Sequence, residues 1–198
     1  TQTGQACLMD RSHIYKEMRD IVGDSLFCDE ESGVSEAFGN VILLDVENQC
    51  MLTGDYCRYE NESGVAIATD DAVFHEFSDS DTLYVHADTL KMVTHNAQTD
   101  SVYRDLFAYH KVRMFRTDIQ GVCDSLVTHE LDSCTYMYGQ PILWNDNQQI
   151  FGEEIRIYNN DSTVDWIHIV NQAMTVEQVD TASYNQVSSI EMFCYFKN

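Results

Sequence analysis

Proline and basic residues are what this sequence has least of. Proline occurs once, at Pro141, and glycine nine times in 198 residues, which excludes collagen-like and low-complexity chains. No stretch reaches the roughly 18 consecutive apolar residues that a membrane-spanning helix needs. The hydrophobic fraction is nevertheless 44%, so a folded core is expected and extended disorder is not.

The shortage of cations bears on possible partners. Eleven Lys and Arg stand against 33 Asp and Glu, for a formal net charge of −22. Nucleic-acid affinity comes largely from Lys and Arg that neutralise phosphates, so no nucleic-acid partner is expected. Docking on an anionic membrane through a basic patch is disfavoured for the same reason. Such a charge is typical of a highly soluble surface.

Signatures of cysteine chemistry are missing as well. The seven cysteines form no CxxC pair, so zinc-ribbon and thioredoxin motifs are absent. Their odd number leaves at least one thiol unpaired. Several occupy apolar positions of the pattern described below, which favours buried free thiols that act as small hydrophobes. A disulfide between Cys50 and Cys57 stays open as an alternative.

Catalytic and metal-binding motifs are equally lacking. The sequence contains no HExxH, GxSxG, glycine-rich phosphate loop or EF-hand. The segment SDSD at 78–81 is a weak cation candidate, and a solvated turn is its alternative. A glycosidase needs two carboxylates in one cleft, and so acidic a chain leaves that open as a distant possibility. We predict no catalytic residue, no metal site and no cofactor.

What the sequence does contain is a short pattern in six copies: apolar, any, small, acidic, any, apolar. The copies are IVGDSL, LTGDYC, VHADTL, GVCDSL, IFGEEI and VSSIEM, and their small slot holds Gly23, Gly54, Ala87, Cys123, Gly152 and Ser189. The last copy is the weakest, because Ile190 replaces the acid. The two apolar slots are an odd number of residues apart, so they share one strand face only if a bulge lies between them. We predict that the acids after the small slot cap this bulge or face water: Asp24, Asp55, Asp88, Asp124 and Glu153.

A second pattern alternates with the first. It appears as FGNVIL, TDDAVF, YHKVRM, YGQPIL and VNQAMT, with ACLMDRSHI as a half copy, and its anchors are Ser12, Val41, Ala72, Val112, Pro141 and Ala173. Both patterns alternate polar and apolar residues like half-exposed strands, and turn-like stretches such as DEESG and ENESG separate them. Proline in an anchor slot predicts an edge or a bulge there. Only KEMRDI near the start suggests a helical turn.

These repeats predict an all-β fold. We expect an elongated antiparallel β-jelly-roll built from stacked two-strand repeats, with roughly a dozen strands around a narrow interior. The chain begins on polar TQTGQ and ends inside a repeat. We therefore expect one domain over residues 1–198 that is truncated at both ends, with any signal peptide removed.

Several strings resemble the OstA/LptA superfamily of lipopolysaccharide-transport proteins: EAFGNVIL, LTGDYCRY, ESGVAIATDDAVF, DTLYVHADTLKM, DIQGVCDSL, PILWNDNQQIFGEEI and YNQVSSIEMFCYF. The resemblance covers nearly the whole chain, and it is closest to an internal part of longer OstA-like proteins. It implies a β-jelly-roll in the periplasm or at the outer membrane. It also implies three kinds of partner: lipopolysaccharide with its lipid A acyl chains inside, other lipopolysaccharide-transport jelly-rolls joined through edge strands, and further copies joined head to tail.

The resemblance also implies which residues line the lipid-holding interior groove. Carried over by position, they are Val41, Leu43, Ala72, Phe74, Leu90, Met92, Val112, Met114, Leu126, Leu143, Ile155 and Ile157. Plain core packing is the alternative for each of them. Two functions follow: a non-enzymatic module that carries or bridges lipopolysaccharide to the outer membrane, or a structural scaffold of the cell envelope that holds no ligand.

Overall fold

The described part of the chain folds into antiparallel strands joined by turns, as the alternating patterns predict. The computed structural model describes residues 4–16, 19–77, 81–96, 99, 101–160 and 163–196. Its strands are β1 (Gln5–Lys16), β2 (Arg19–Asp29), β3 (Val34–Asp45), β4 (Cys50–Glu60), β5 (Val65–Phe77), β6 (Thr82–His95), β7 (Tyr103–Phe115), β8 (Ile119–His129), β9 (Cys134–Tyr138), β10 (Ile142–Asn145), β11 (Gln148–Phe151), β12 (Glu154–Asn160), β13 (Thr163–Gln178) and β14 (Tyr184–Tyr195). Within the described residues there is no helix long and apolar enough to cross a bilayer.

Strand order follows chain order through most of the sheet. Each strand from β1 to β8 pairs with the next one. Beyond β8, two strand paths are interrupted: β9 and β10 both pair with β8, while β11 and β12 both pair with β13. The first interruption lies at Gly139, Gln140 and Pro141, where the proline has no N–H to donate to a ladder. An edge or a bulge was predicted at Pro141, and the structure has a break between β9 and β10 there. The two interruptions explain why fourteen strands form where about a dozen were predicted.

A register shift lies midway along the hairpins, where the two sequence patterns face each other. In β3, Gly39 and Asn40 have φ of 72° and 48°. They stand between Phe38, which pairs with Tyr56, and Val41, which pairs with Gly54. Two residues thus oppose one, as in a β-bulge. Similar pairs with positive φ recur on alternate strands at 70–71, 110–111, 139–140 and 171–172.

The position of this bulge corrects one part of the prediction. The apolar residues Leu52 and Cys57, which stand on either side of the small residue and the acid, are both buried, as predicted. The extra residue, however, belongs to the neighbouring strand of the second pattern. The physical reason is that the extra residue adopts positive φ, which Gly, Asn and Asp tolerate best. Such residues precede the anchors rather than the small slots, except at Val112, where His110 and Lys111 adopt this conformation.

Five anchors of the second pattern pair directly with small residues of the first pattern across strands. The pairs are Ser12 with Gly23, Val41 with Gly54, Ala72 with Ala87, Val112 with Cys123 and Ala173 with Ser189. Backbones approach closely at this point, because a Cβ built on Gly54 would lie only 2.7 Å from the Thr69 carbonyl oxygen. A small residue is therefore required by local geometry in at least this copy.

The sheet bends at the bulges and closes over its own inner face. The Arg104 guanidinium at the start of β7 donates to the Asn48 carbonyl before β4, at 3.1 Å, although β4 and β7 are not neighbours. One continuous apolar cluster of buried residues extends from Ile21 in β2 to Ala173 in β13. The result is a β-roll with a single apolar interior.

The predicted helical turn at KEMRDI is wrong in its described part. Lys16 pairs with Arg19 and Tyr15 with Asp20, so both sides belong to the β1–β2 hairpin. Glu17 and Met18 between them lie outside the described residues. The cross-strand pairing on both sides overrides the weak helical preference of these residues.

Candidate functional site

The residues predicted to line a lipid groove all lie in the interior of the β-roll. Each belongs to the buried apolar cluster, and the most exposed of them, Phe74 and Met114, are only 6% exposed. The fold thus brings these side chains together from β3, β5 to β8, β10 and β12. Whether they contact lipid stays a prediction.

The middle of the interior is filled by its own side chains. Leu90, Leu126 and Leu143 are fully buried. Towards the strand ends where Arg104 meets Glu130, the void beside Phe74 and Met92 measures only about 30 Å³, which is the size of a single water molecule. In this conformation an acyl chain would need these side chains to move apart.

The interior opens at the end formed by β1 to β4, which we call the mouth. A cavity of about 450 Å³ lies there, within the size range of small-molecule sites. Its lining is Ile14, Arg19, Ile21, Cys28, Asp29, Glu30, Gly33, Ser35, Leu43, Tyr59 and Asn61. The cavity arises because β1 is the last strand on this side and leaves the inner faces of β2 to β4 partly uncovered.

Sequence reasoning found only Leu43 among the residues that line the mouth. Ile21 is the leading apolar residue of the first copy of the first pattern, and this position was the sequence signal that it faces the interior. Arg19 and Tyr59 carried no signal, because they come together only when β2 and β4 flank β3.

A buried ion pair forms the inner wall of the mouth. Arg19 Nε donates to Asp45 Oδ2 at 3.0 Å, and the Asp45 side chain is 3% exposed. The same guanidinium donates to the Tyr59 hydroxyl and lies 5.2 Å from the centre of that ring. Burial acts to raise the pKa of Asp45, but hydrogen bonds from Asn48 and Arg19 outweigh it and hold the pKa below its ordinary value. Asp45 is therefore ionised and neutralises Arg19.

The outer rim of the mouth is polar and acidic. Asp29 accepts hydrogen bonds from Gln5 Nε2 at 3.3 Å and from the Glu31 amide at 3.0 Å. The bond from Gln5, followed by the one from the Glu31 amide, lowers the pKa of Asp29. With an apolar floor at Ile21 and Leu43, the arrangement suits an amphiphile whose tail points inward. An anionic head at this rim would need a cation between it and the carboxylates.

Three of the acids that follow the small residue cap a bulge, and Asp55 faces water, which are the two alternatives that the sequence predicted. Asp24 accepts hydrogen bonds from Asn40 Nδ2 at 2.8 Å and from Arg11 at 3.2 Å. Lys111 donates to Asp88 at 2.9 Å, and Asn171 donates to Glu153 at 3.1 Å. The donors Asn40, Lys111 and Asn171 belong to the positive-φ pairs of neighbouring strands, so these carboxylates stabilise the bulges.

The other cation candidates give no metal centre. Residues 78–80 of the SDSD segment lie outside the described residues, and Asp81 accepts from the amides of Thr82 and Thr117. Strand pairing brings together a trio that the sequence did not reveal, in which Asp105 binds His95 at 3.0 Å and His129 at 2.8 Å. In the part of the chain that the structure describes, no group of His, Cys, Asp or Glu has the geometry to hold a metal ion.

All seven cysteines are free thiols, so the alternative of a Cys50–Cys57 disulfide is wrong. Both residues point into the interior within β4. Burial raises the pKa of Cys57 to about 12 and is the main cause that raises the pKa of Cys50 to about 11. These thiols behave as small apolar residues, as the sequence indicated.

Thiol reactivity should therefore differ sharply along the chain. We expect the exposed Cys7 to react with a water-soluble disulfide reagent at pH 7 long before Cys50, Cys57 and Cys123, because only thiolates attack. A timed titration of released thiol, with Cys7→Ser as the control, measures this. Loss of the fast phase in the control is expected. The half-buried Cys28 and Cys194 should react at an intermediate rate. Reaction of Cys50, Cys57 or Cys123 as fast as that of Cys7 would contradict their burial.

Comparison with known proteins identifies no family. No family model matches the chain, and no curated protein matches it significantly. Among solved structures, one match is LptH of Pseudomonas aeruginosa, described as the LptA-homologous periplasmic component of the lipopolysaccharide transport device. The TM-score is 0.39 at 12% identity, over 85% of this chain and 93% of the other. A likeness at these values shows no family, and membership in the OstA/LptA superfamily stays a prediction.

Proposed function

We propose that this protein is a non-enzymatic lipid-binding module that carries or bridges lipopolysaccharide across the periplasm to the outer membrane. The observation that carries the proposal is the continuous apolar interior, which opens at the mouth in a cavity of about 450 Å³. Each methylene moved from water into such an interior gains about 0.8 kcal/mol. An acyl chain that enters at the mouth would pass the polar rim and reach the apolar floor at Ile21 and Leu43.

The two ends of the sheet supply the partners in this proposal. Within the residues that the structure describes, β1 and β14 each pair on one side only, so each offers an edge to which another strand can add. Large apolar side chains are exposed on both, including Met9 at 71% and Ile190 at 79%. We propose that these edges join other lipopolysaccharide-transport β-jelly-rolls or further copies head to tail.

The mouth gives a direct test of lipid binding. Ser35 lines the cavity, and the substitution Ser35→Phe should fill part of it and weaken the binding of fluorescently labelled lipopolysaccharide at least tenfold. The matched control is Thr89→Phe, because Thr89 lies on the outside of the roll between Thr69 and Tyr109. A titration of both variants, with circular dichroism to verify folding, decides the matter. Equal affinities would exclude the mouth as the entry.

A second experiment separates transport from scaffolding. The filled centre of the roll, where Leu126 and Leu143 are fully buried, favours a structural scaffold without ligand as the second candidate. A photo-reactive side chain at Phe74 or Met114 should crosslink to labelled lipopolysaccharide, whereas one at Asp71 or Lys111, both exposed, should not. Absence of labelling at all four positions would favour the scaffold.

A further inference from the structure

The outside of the roll has two faces, and their charges differ. Twelve of the strands each contribute one three-residue segment to what we call the back face. In each segment the first and last side chains lie on the outside of the roll and the middle one lies on the inner side. The segments are 13–15, 20–22, 42–44, 51–53, 73–75, 84–86, 113–115, 120–122, 142–144, 149–151, 174–176 and 186–188. The first and last residues pair from strand to strand, so they form two unbroken rows from β1 to β14. We define the front face as the outward side of the other strand halves, beyond the bulges.

Carboxylates are almost excluded from the back face. Among its outward residues only Asp20 is acidic, although the chain has 33 acids. The front face, by contrast, carries acids on several strands: Glu36, Glu60, Asp105, Glu154 and Glu191. Among the other described acids, many lie at the bulges and turns, whereas Asp45 and Glu76 face the interior. The back face is therefore a nearly neutral strip on a strongly negative protein.

The back face is also apolar and aromatic. Tyr84 and Phe115 are 40% and 48% exposed, and their ring centres lie 6.3 Å apart. In the same row Phe115 pairs with Gln120, which pairs with Trp144. In the adjacent row, Ile42 and Val73 lie on either side of Thr53. Rings with a polar tip, such as those of Tyr84 and Trp144, are the type enriched where a bilayer meets water.

We propose that the back face, centred on Tyr84, Phe115 and Trp144, is a docking surface for a lipid bilayer. The reason is electrostatic. A chain of net charge −22 is repelled by anionic headgroups in most orientations, and the back face is the orientation that places the fewest carboxylates against them. The exposed Arg113 stands in this face as a fixed positive charge.

A second copy of the chain fits this face less well. Laying two back faces together would bring two bodies of charge −22 into contact, and net charge of one sign opposes such association. The membrane proposal does not depend on the cargo, because it concerns the outside of the roll.

The two tryptophans provide a built-in test. Trp144 lies on the back face, whereas Trp166 lies on the front face between Tyr158 and Tyr195. The variants Trp166→Phe and Trp144→Phe each leave one reporter. With phosphatidylcholine vesicles that carry bromine in their acyl chains, we expect quenching and a blue shift for the Trp144 reporter and no change for the Trp166 reporter. Quenching of Trp166 alone, equal quenching of both, or quenching of neither would overturn the proposal.

A matched pair of substitutions tests the same surface in the protein with both tryptophans. Phe115→Asp should lower the vesicle-bound fraction at least tenfold in a flotation assay. Phe107→Asp, which places the same charge on the front face beside Lys91, should change it less than twofold. Light scattering without vesicles distinguishes dimer formation. Equal effects of the two substitutions, or a dimer that forms while vesicles stay unbound, would refute membrane docking.

The dependence on salt should have the opposite sign to that of a basic membrane-binding protein. Adding anionic phosphatidylglycerol should weaken vesicle binding at low salt, because the net charge of −22 is repelled. Salt at about 0.5 M should restore the binding by screening that repulsion. Tighter binding to anionic vesicles at low salt would show that a positive patch mediates the contact, and would overturn the proposal.

Discussion

Replacing Asp45 with alanine should lower the free energy of unfolding by about 3–5 kcal/mol, the usual cost of breaking a buried ion pair from one side. The substitution leaves the Arg19 guanidinium against the Tyr59 ring without its counter-ion. It also removes the acceptor for both the amide and the side chain of Asn48, at 3.0 and 2.9 Å. Chemical denaturation monitored by circular dichroism measures the loss.

The control for this substitution is an ion pair of similar length at the surface. Lys111 and Asp88 are joined at 2.9 Å, but their side chains are 77% and 45% exposed. Lys111→Ala should therefore cost no more than about 1 kcal/mol, as exposed pairs usually do. A loss at Asp45 no larger than the loss at Lys111 would contradict the burial of the mouth pair.

The same ion pair gives the stability a defined pH dependence. The pKa of Asp45 in the folded protein lies below its ordinary value of 3.8. Its contribution is therefore complete above that value and is lost as the pH falls through the lower pKa of the folded state. The Asp45→Asn variant should show a weaker fall in stability over this acid range than the parent protein.

Much of the fold could be predicted from the sequence, because a half-exposed strand shows a local alternation of polar and apolar residues. A period of two identified the strands, and the odd spacing of Leu52 and Cys57 was enough to indicate a bulge. Which strand carries the extra residue does not follow from that spacing alone. It depends on the positive φ at 39–40 and at the similar pairs of the other strands, and the sequence signal for it was the Gly, Asn and Asp before the anchors.

The mouth and the back face were harder to predict for a different reason. Arg19, Asp45 and Tyr59 lie far apart in sequence and meet only through the register of β2, β3 and β4. The back face depends on which outward residues pair across twelve strand segments, since no single strand shows the absence of carboxylates. Both features therefore arise from cross-strand pairing, whereas the interior residues could be predicted from each strand separately.

Gly54 links the sequence pattern to the packing most directly, and Gly54→Ala should destabilise the protein by about 1–3 kcal/mol. The new Cβ would lie 2.7 Å from the Thr69 carbonyl oxygen, a backbone atom that moves only if the β4–β5 hairpin shifts. Thermal and chemical unfolding of the variant measure the loss.

The same substitution at the equivalent slot of the first copy is the control. At Gly23 the nearest atom to a new Cβ is the flexible end of Leu26, at 3.1 Å, and the nearest carbonyl oxygens lie at 3.3 Å. Alanine also stabilises by about 0.4–1 kcal/mol because it restricts the unfolded chain. Gly23→Ala should therefore be close to neutral. Equal losses at the two positions would mean that the slot is small for a reason common to all copies, rather than because of the close approach at Thr69.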